Sequence, residues 1–345
     1  MDFLTASRMG AFLACPRKHY WAYEVGLKPV AEANALRFGT AWHAALEALA
    51  LGKELADAFD IATEGKEFDE VTLATLSAML GGWANFPKAR FEAVVASELE
   101  FHLPLTSSKR FALAGKLDLL AKVEGRLCLV ENKTTSDSVE PGSTYWERLR
   151  MNPQILQYVD AARRLGYEIQ SIYYAVAKKP GIKPKEIPQL DADGFKVVID
   201  NSTGERVMLG SGKPRQAAFD DTQTLVSRTE TAEEYGARLA ADIAARPEFY
   251  FAVREVPVLD QELDEFLSSR TQIARMILDR RRAQKTSGRP ENAWPRNIAK
   301  MACGTCPFVN FCLQCVEVNI PNQLPSGFRL GDKHEELTQT EENAQ

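Results

Sequence analysis

Residues 110–134 read RFALAGKLDLLAKVEGRLCLVENKT. Two apolar runs flank Glu124-Gly125, and a two-residue loop with Gly in second place marks a tight hairpin. Closure there sets Ala121 opposite Cys128, Leu120 opposite Leu129, Leu119 opposite Val130 and Asp118 opposite Glu131. Both faces of the hairpin are then apolar in the middle, as in a strand pair covered on both sides. The expected fold is therefore α/β, and the surroundings agree. Upstream, VVASELEFHLPL reads as a strand from about 92. Downstream, 152–165 carries a helical pattern and IQSIYYAVAKK at 169–179 is a β-branched and aromatic strand.

The hairpin also brings two carboxylates together. Directly opposed side chains stand about 5 Å apart, where like charges destabilise the pair. Lys133 shares a face with Glu131 because strands have a period of two. One reading is an internal salt bridge, with Lys133 neutralising one acid and the other in solvent. The other is a divalent cation. Mg²⁺ takes carboxylate oxygens and keeps waters for a phosphate substrate. It can polarise a phosphodiester and activate water, with the lysine orienting that water or meeting developing charge.

The chain has 345 residues, 45% hydrophobic and 26% charged, which excludes disordered and fibrous classes. No apolar run is long enough to span a membrane. The N-terminus lacks a basic start before an apolar core, so a cytoplasmic location is the default expectation. Helices are expected at 5–22, entered from Thr5 or Ser7; at 36–51, ended by Gly52; near 53–64; and at 69–84, capped by Asp69. PGIKPKEIPQLDADG is a loop or insertion boundary, with short strands near 195–209. A helix from about 230 to 245 stops before Pro247, EFYFAVREVPV is a strand, and 260–284 is a long helix.

Of six cysteines, Cys303, Cys306, Cys312 and Cys315 cluster near the C-terminus, while Cys15 and Cys128 stand apart. Cys128 reads as a small buried apolar residue. Cys303-x-x-Cys306-x₅-Cys312 with distant Cys15 supplies four thiolates, suited to zinc or to a cubane cluster. Cys312-x-x-Cys315 is itself a possible pair, so Cys315 could replace one of the four.

Asp118, a strand, and Glu131-x-Lys133 resemble the signature of the PD-(D/E)XK nuclease superfamily. Further pieces resemble its RecB-like branch, which includes the AddB nuclease domain and the CRISPR-associated adaptation nucleases. They are His43 in FGTAWHAAL, Gln154-x-x-x-Tyr158 on the next helix, and Cys15 with the C-terminal cysteines. Asn132 departs from the apolar residue often found between acid and lysine; it points to the other face, and the backbone carbonyl at that position can also bind metal. The resemblance is strong over 1–178 and 290–315 and weak between.

It implies a restriction-endonuclease-like core, a mixed sheet flanked by helices. Residues 1–90 would be an N-terminal helical region with Cys15 and His43, and 91–180 the nuclease core. Residues 181–228 would be an insertion, 229–330 a C-terminal helical and iron–sulfur region, and 331–345 a disordered acidic tail. It further implies Mg²⁺ or Mn²⁺ held by Asp118 and Glu131 with His43 assisting, and Lys133 serving the attacking water. Gln154 would bond Lys133 or a phosphate, and Tyr158 would contact substrate. Cys15, Cys303, Cys306 and Cys312 would hold a 4Fe–4S cluster. The implied activity is exonuclease action on single-stranded or duplex DNA ends in recombination, repair or phage DNA metabolism. A CRISPR prespacer-trimming role with partner proteins and a non-catalytic DNA-end-binding scaffold are the alternatives.

The formal net charge of −5 speaks against nucleic acid, but it is an average. Residues 270–300 carry nine Lys and Arg against Asp279 and Glu291, an expected DNA-facing surface. Arg17, Lys18, Tyr20 and Trp21 could join it, the aromatics by stacking on unpaired bases. Glu98 and Glu100 read equally well as site acids or as solvent-facing residues.

Overall fold

The computed structural model describes residues 1–30, 34–87, 91–150, 152–257, 259–314 and 324–338. The chain opens with β1 (Asp2–Leu4), α1 (Ala6–Ala14), α2 (Pro16–His19), a wider π-type turn at Tyr20–Val25, and β2 (Leu27–Pro29). Then come α3 (Asn34–Ala50), α4 (Leu55–Thr63) and α5 (Glu70–Ala84). The Thr5 and Asp69 side chains cap α1 and α5 by accepting from backbone N–H groups. β3 (Ala93–Pro104), β4 (Phe111–Val123) and β5 (Arg126–Thr135) follow, then α6 (Thr144–Arg150), α7 (Pro153–Arg164) and β6 (Ser171–Lys178).

An exposed arm holds β7 (Glu186–Pro188), β8 (Val198–Asp200), β9 (Gln223–Leu225) and β10 (Ser227–Thr229). The chain returns through α8 (Ala232–Ala245), α9 (Pro247–Tyr250), β11 (Phe251–Val256) and the long α10 (Asp260–Ser287). α11 (Pro290–Ala293), α12 (Lys300–Gly304), α13 (Val309–Leu313), β12 (Phe328–Leu330) and α14 (Glu335–Thr338) complete it.

Six strands form one mixed sheet in the order β1-β4-β5-β6-β11, with β3 on the other edge of β4. The β4–β5 turn falls at Glu124-Gly125, both with positive φ, so Leu119, Leu120 and Ala121 pair with Val130, Leu129 and Cys128. The two faces feed separate cores. Leu120 and Leu129 pack with α1, α7 and α10 residues, whereas Leu119, Ala121 and Val130 pack with α3, α5 and α8. This is why the hairpin is apolar on both sides.

β4 shares one edge between two partners. β1 pairs in parallel with Phe111–Leu113, and β5 pairs antiparallel only with Leu119–Val123. Residues 114–118 pair with neither on that edge, which opens a cleft inside the sheet. Gln157 of α7 spans its far end, donating to Leu4 O at 3.3 Å and Ala114 O at 3.1 Å.

Two expectations are corrected. Residues 331–338, read as the start of a disordered tail, fold back. Here α14 forms, Arg329 pairs with Glu335 at 2.8 Å, and His334 is buried. Residues 339–345 lie outside the described residues. The basic stretch 270–300 is also partly internal. Arg270 is buried and paired with Asp160 at 2.8 Å, Arg281 bridges Asp2 and Glu24, and Arg282 is paired with Asp279. Arg17 and Trp21 are buried as well, Arg17 donating to Trp294 O and Trp21 packing on Phe311. Their partners are remote in sequence, which charge counting cannot see.

Candidate active site

The cleft between β4 and β5 holds Asp118, Glu131 and Lys133. The ladder ends one step before the two acids. Asp118 does not pair with Glu131 but accepts from the backbone N–H of Asn132 through Oδ2 at 2.8 Å. That bond replaces a ladder contact that would set two carboxylates against each other. Glu131 is buried at 1% exposure, with Oε1 taking the Lys133 ammonium at 2.5 Å. Its other oxygen, Oε2, has no hydrogen-bond partner among the described residues.

α7 braces the lysine. Pro153 begins the helix and the Asn152 side chain caps it, which aims Gln154 at the strand end. Gln154 Oε1 accepts from Lys133 Nζ at 2.9 Å, and Gln154 Nε2 donates to the Tyr158 hydroxyl at 3.0 Å. Tyr158 is buried, so it sits behind Gln154 rather than reaching toward a substrate. Its ring and that of Phe101 lie over Gly115, where an added Cβ would stand 3.0 Å from Tyr158 and 2.7 Å from Phe101. Gly115→Ala is expected to cost about 1–3 kcal/mol by overpacking. An unchanged urea-unfolding midpoint would show that the two rings swing aside freely.

α3 brings His43 across the top of the cleft, with Nδ1 3.4 Å from Asp118 Oδ2. Four ionisable side chains therefore share one corner. Burial raises the Glu131 pKa and the Asp118 charge raises it further, to about 7, against the opposing pull of Lys133. Burial also works to raise Asp118, but His43, Lys133 and the Asn132 N–H outweigh it and hold Asp118 low. Burial works to lower Lys133 and His43, yet the adjacent carboxylates win and both are raised. Among the described residues, no group of three or more His, Cys, Asp or Glu is arranged to hold one metal ion. Lys133 lies against Glu131 and His43 against Asp118.

Two more acids stand at this corner: Glu98, which the sequence left open between site and solvent, and Glu47, which it missed. Glu98 leaves the β3 ladder with a φ of +49°, is ion-paired with Lys116, and feels the charges of Asp118 and Glu47. Glu47 lies one turn beyond His43 on α3 and accepts from Ser97 Oγ at 3.2 Å. The spacing of four from His43 was the available signal for Glu47. A register shift between Val94 and Ala96 hid which face Glu98 takes.

A model of the PD-(D/E)XK nuclease superfamily matches residues 4–313. The chain belongs to the PD-(D/E)XK nuclease superfamily. No curated protein matches it. The match spans the stretch in which the sequence resemblance was weak. The sheet agrees, because β11 from that stretch pairs with β6 in the core.

The cysteines lie beside a separate small apolar cluster. Trp21 and Leu27 pack with Phe308 and Phe311, joining the N-terminal turn to the C-terminal segment. Cys15, Cys303, Cys306 and Cys312 are free thiols. Burial raises the Cys306 and Cys312 thiols, and Cys15 adds to both; Cys312 also acts on Cys306, and Cys303 on Cys312. The four thus share one neighbourhood. Asn297 sits among them, its N–H donating to Cys15 Sγ at 3.4 Å and its side chain to Ala14 O at 2.8 Å. Cys315 lies outside the described residues. Cys128 is buried against Ser171, 3.1 Å from its hydroxyl. Among the described residues, no helix is long and apolar enough to cross a membrane.

Proposed function

We propose that the protein is a metal-dependent DNA nuclease that hydrolyses phosphodiesters at DNA ends. The observation that carries this is the orphaned Glu131 Oε2, a buried carboxylate oxygen beside Asp118 that nothing in the described chain satisfies. An oxygen-rich corner with one imidazole suits Mg²⁺ or Mn²⁺. Asp118 and Glu131 would hold the ion and His43 would assist. The bound cation supplies the charge that polarises the phosphodiester and makes water acidic enough to attack.

The remaining work falls to the chain's own groups. Lys133 has a raised pKa and stays an ammonium, so it donates rather than accepts a proton. Held by Gln154, it orients the attacking water or meets negative charge as the phosphorus–oxygen bond breaks. Gln154 and Tyr158 act as positioning residues. Incubating the protein with end-labelled single-stranded and duplex DNA plus Mn²⁺ tests the reading. Metal-dependent shortening from the ends is expected. Binding without cleavage would leave a non-catalytic end-binding scaffold.

The cysteine group is proposed to bind a 4Fe–4S cluster through Cys15, Cys303, Cys306 and Cys312, the donor set such a cubane takes. The cluster ties the two ends of the fold together. Linking Cys15 to Cys303 removes several kcal/mol of loop entropy from the unfolded chain by the logarithmic rule. Cys15→Ala is expected to lose the visible iron–sulfur absorbance and to precipitate more readily. Full iron content in that variant would refute Cys15 as a ligand.

A further inference from the structure

Residues 178–185 read KKPGIKPK, four lysines in eight positions with no acid among them. Their placement follows from the sheet. β5 and β6 are parallel and end at the same edge, with Lys133 level with Val176 and Thr135 level with Lys178. The Lys179 N–H donates to Thr135 O at 2.7 Å, so the segment leaves the sheet about 7 Å beyond the level of Lys133. The eight residues span at most about 25 Å.

The backbone of this strap is fixed. Pro180 and Pro184 restrict it toward extended conformations. Ile182 O accepts from the Tyr235 hydroxyl at 3.1 Å, and Lys183 O from an Arg238 Nη at 2.9 Å. The Lys185 N–H donates to Glu230 Oε2 at 3.1 Å, and Lys185 O accepts from the Glu230 N–H at 2.9 Å. These bonds use the main chain and leave the Lys183 and Lys185 side chains exposed. Lys185 acts on the Glu230 carboxylate, which Arg238 holds. Lys178 lies over the Phe249 ring at 3.7 Å. Unlike Arg270, Arg281 and Arg282, the exposed lysines of this strap form no carboxylate ion pair among the described residues.

We propose that the strap Lys178–Lys185 is a phosphate track that holds the sugar–phosphate backbone of the DNA strand being cut. The proposal rests on the nuclease reading and adds the path of the substrate. Lysines are point charges that neutralise phosphates without reading bases, so the track would be indifferent to sequence.

The test uses the full chain carrying Glu131→Gln, which is expected to bind without cutting. Affinity for end-labelled single-stranded DNA is measured from 50 to 200 mM salt, with and without Lys183→Ala plus Lys185→Ala. Losing two phosphate contacts should flatten the log–log salt dependence by about 1.4. Affinity at low salt should fall about tenfold, and Lys183→Arg plus Lys185→Arg should restore it. Equal melting temperatures exclude a folding defect. An unchanged slope and affinity, in a chain whose unsubstituted form cuts DNA, overturns the track alone. Lysine-dependent binding by a chain that never cuts keeps the track and overturns the nuclease reading. No binding and no cutting overturns both.

Discussion

Glu131→Gln is expected to lower DNA hydrolysis at least about 10³-fold while leaving DNA binding in place. The amide keeps the shape of the carboxyl but gives the cation one anionic ligand fewer. It also removes the partner that fixes Lys133 Nζ at 2.5 Å. The same change should appear in stability without metal. The Glu131 carboxyl titrates near 7 in the folded chain against 4.5 for an ordinary glutamate. A raised carboxyl pKa means the folded state binds the proton more readily. Its stabilisation is therefore complete below pH 4.5 and is lost as pH rises to about 7. Across that window the metal-free protein should lose at most about 3 kcal/mol relative to the Gln variant. Because a ligand must shed its proton to bind metal, hydrolysis at limiting Mn²⁺ should rise with pH toward 7. A Gln variant that digests end-labelled DNA at the normal rate would remove Glu131 from the chemistry. A pH-independent difference in melting between the two forms would overturn the raised Glu131 pKa.

The second large effect is expected far from the cleft. Arg8 is fully buried at the meeting point of both chain ends. Its guanidinium donates to Phe3 O at 2.7 Å, to Glu24 Oε1 at 2.9 Å and to His19 Nε2 at 3.1 Å, and it pairs with Asp2 at 2.8 Å. Burial and the nearby Arg8 and Arg281 charges push His19 down to about 2, so its ring is neutral and can accept. Arg8→Ala takes a buried guanidinium from Asp2 and Glu24, leaving Arg281 as their shared arginine partner, and should cost about 3–5 kcal/mol. In a chain of this size that is a fall in Tm of about 5 °C. Arg8→Lys keeps the charge but not the fork of donors and should recover only part. An unchanged Tm for Arg8→Ala, followed by calorimetry, would mean that Asp2 and Glu24 are solvated in the folded protein.

The hairpin is legible in sequence because its turn and its period of two are local facts. Glu124-Gly125 sets the register, and the register puts Leu120 and Leu119 into different cores. The cleft is not legible, because it arises where β1 and β5 divide one edge of β4. Phe3 pairs with Ala112 across more than a hundred residues, and no local pattern announces that. The same distance explains the misread basic stretch, since Arg281 is spent on Asp2 and Glu24. Conversely, the lysines of 178–185 looked like ordinary loop composition. Only the parallel register of β5 and β6 shows that they begin beside Lys133.

The cluster of Trp21, Leu27, Phe308 and Phe311 has a consequence in time. A ribosome adding roughly 5–20 residues per second needs about 15–60 s between Trp21 and Phe308. For that interval the nascent N-terminal segment has no partner for its aromatic face, and Cys15 waits for Cys303. The sheet can pair strand by strand meanwhile, β1 included once β4 has emerged. The clasp therefore closes late, and an N-terminal segment left exposed this long is a binding site for chaperones. Slower translation of the C-terminal third should lengthen that exposure and lower the soluble yield before any defect shows in the folded protein.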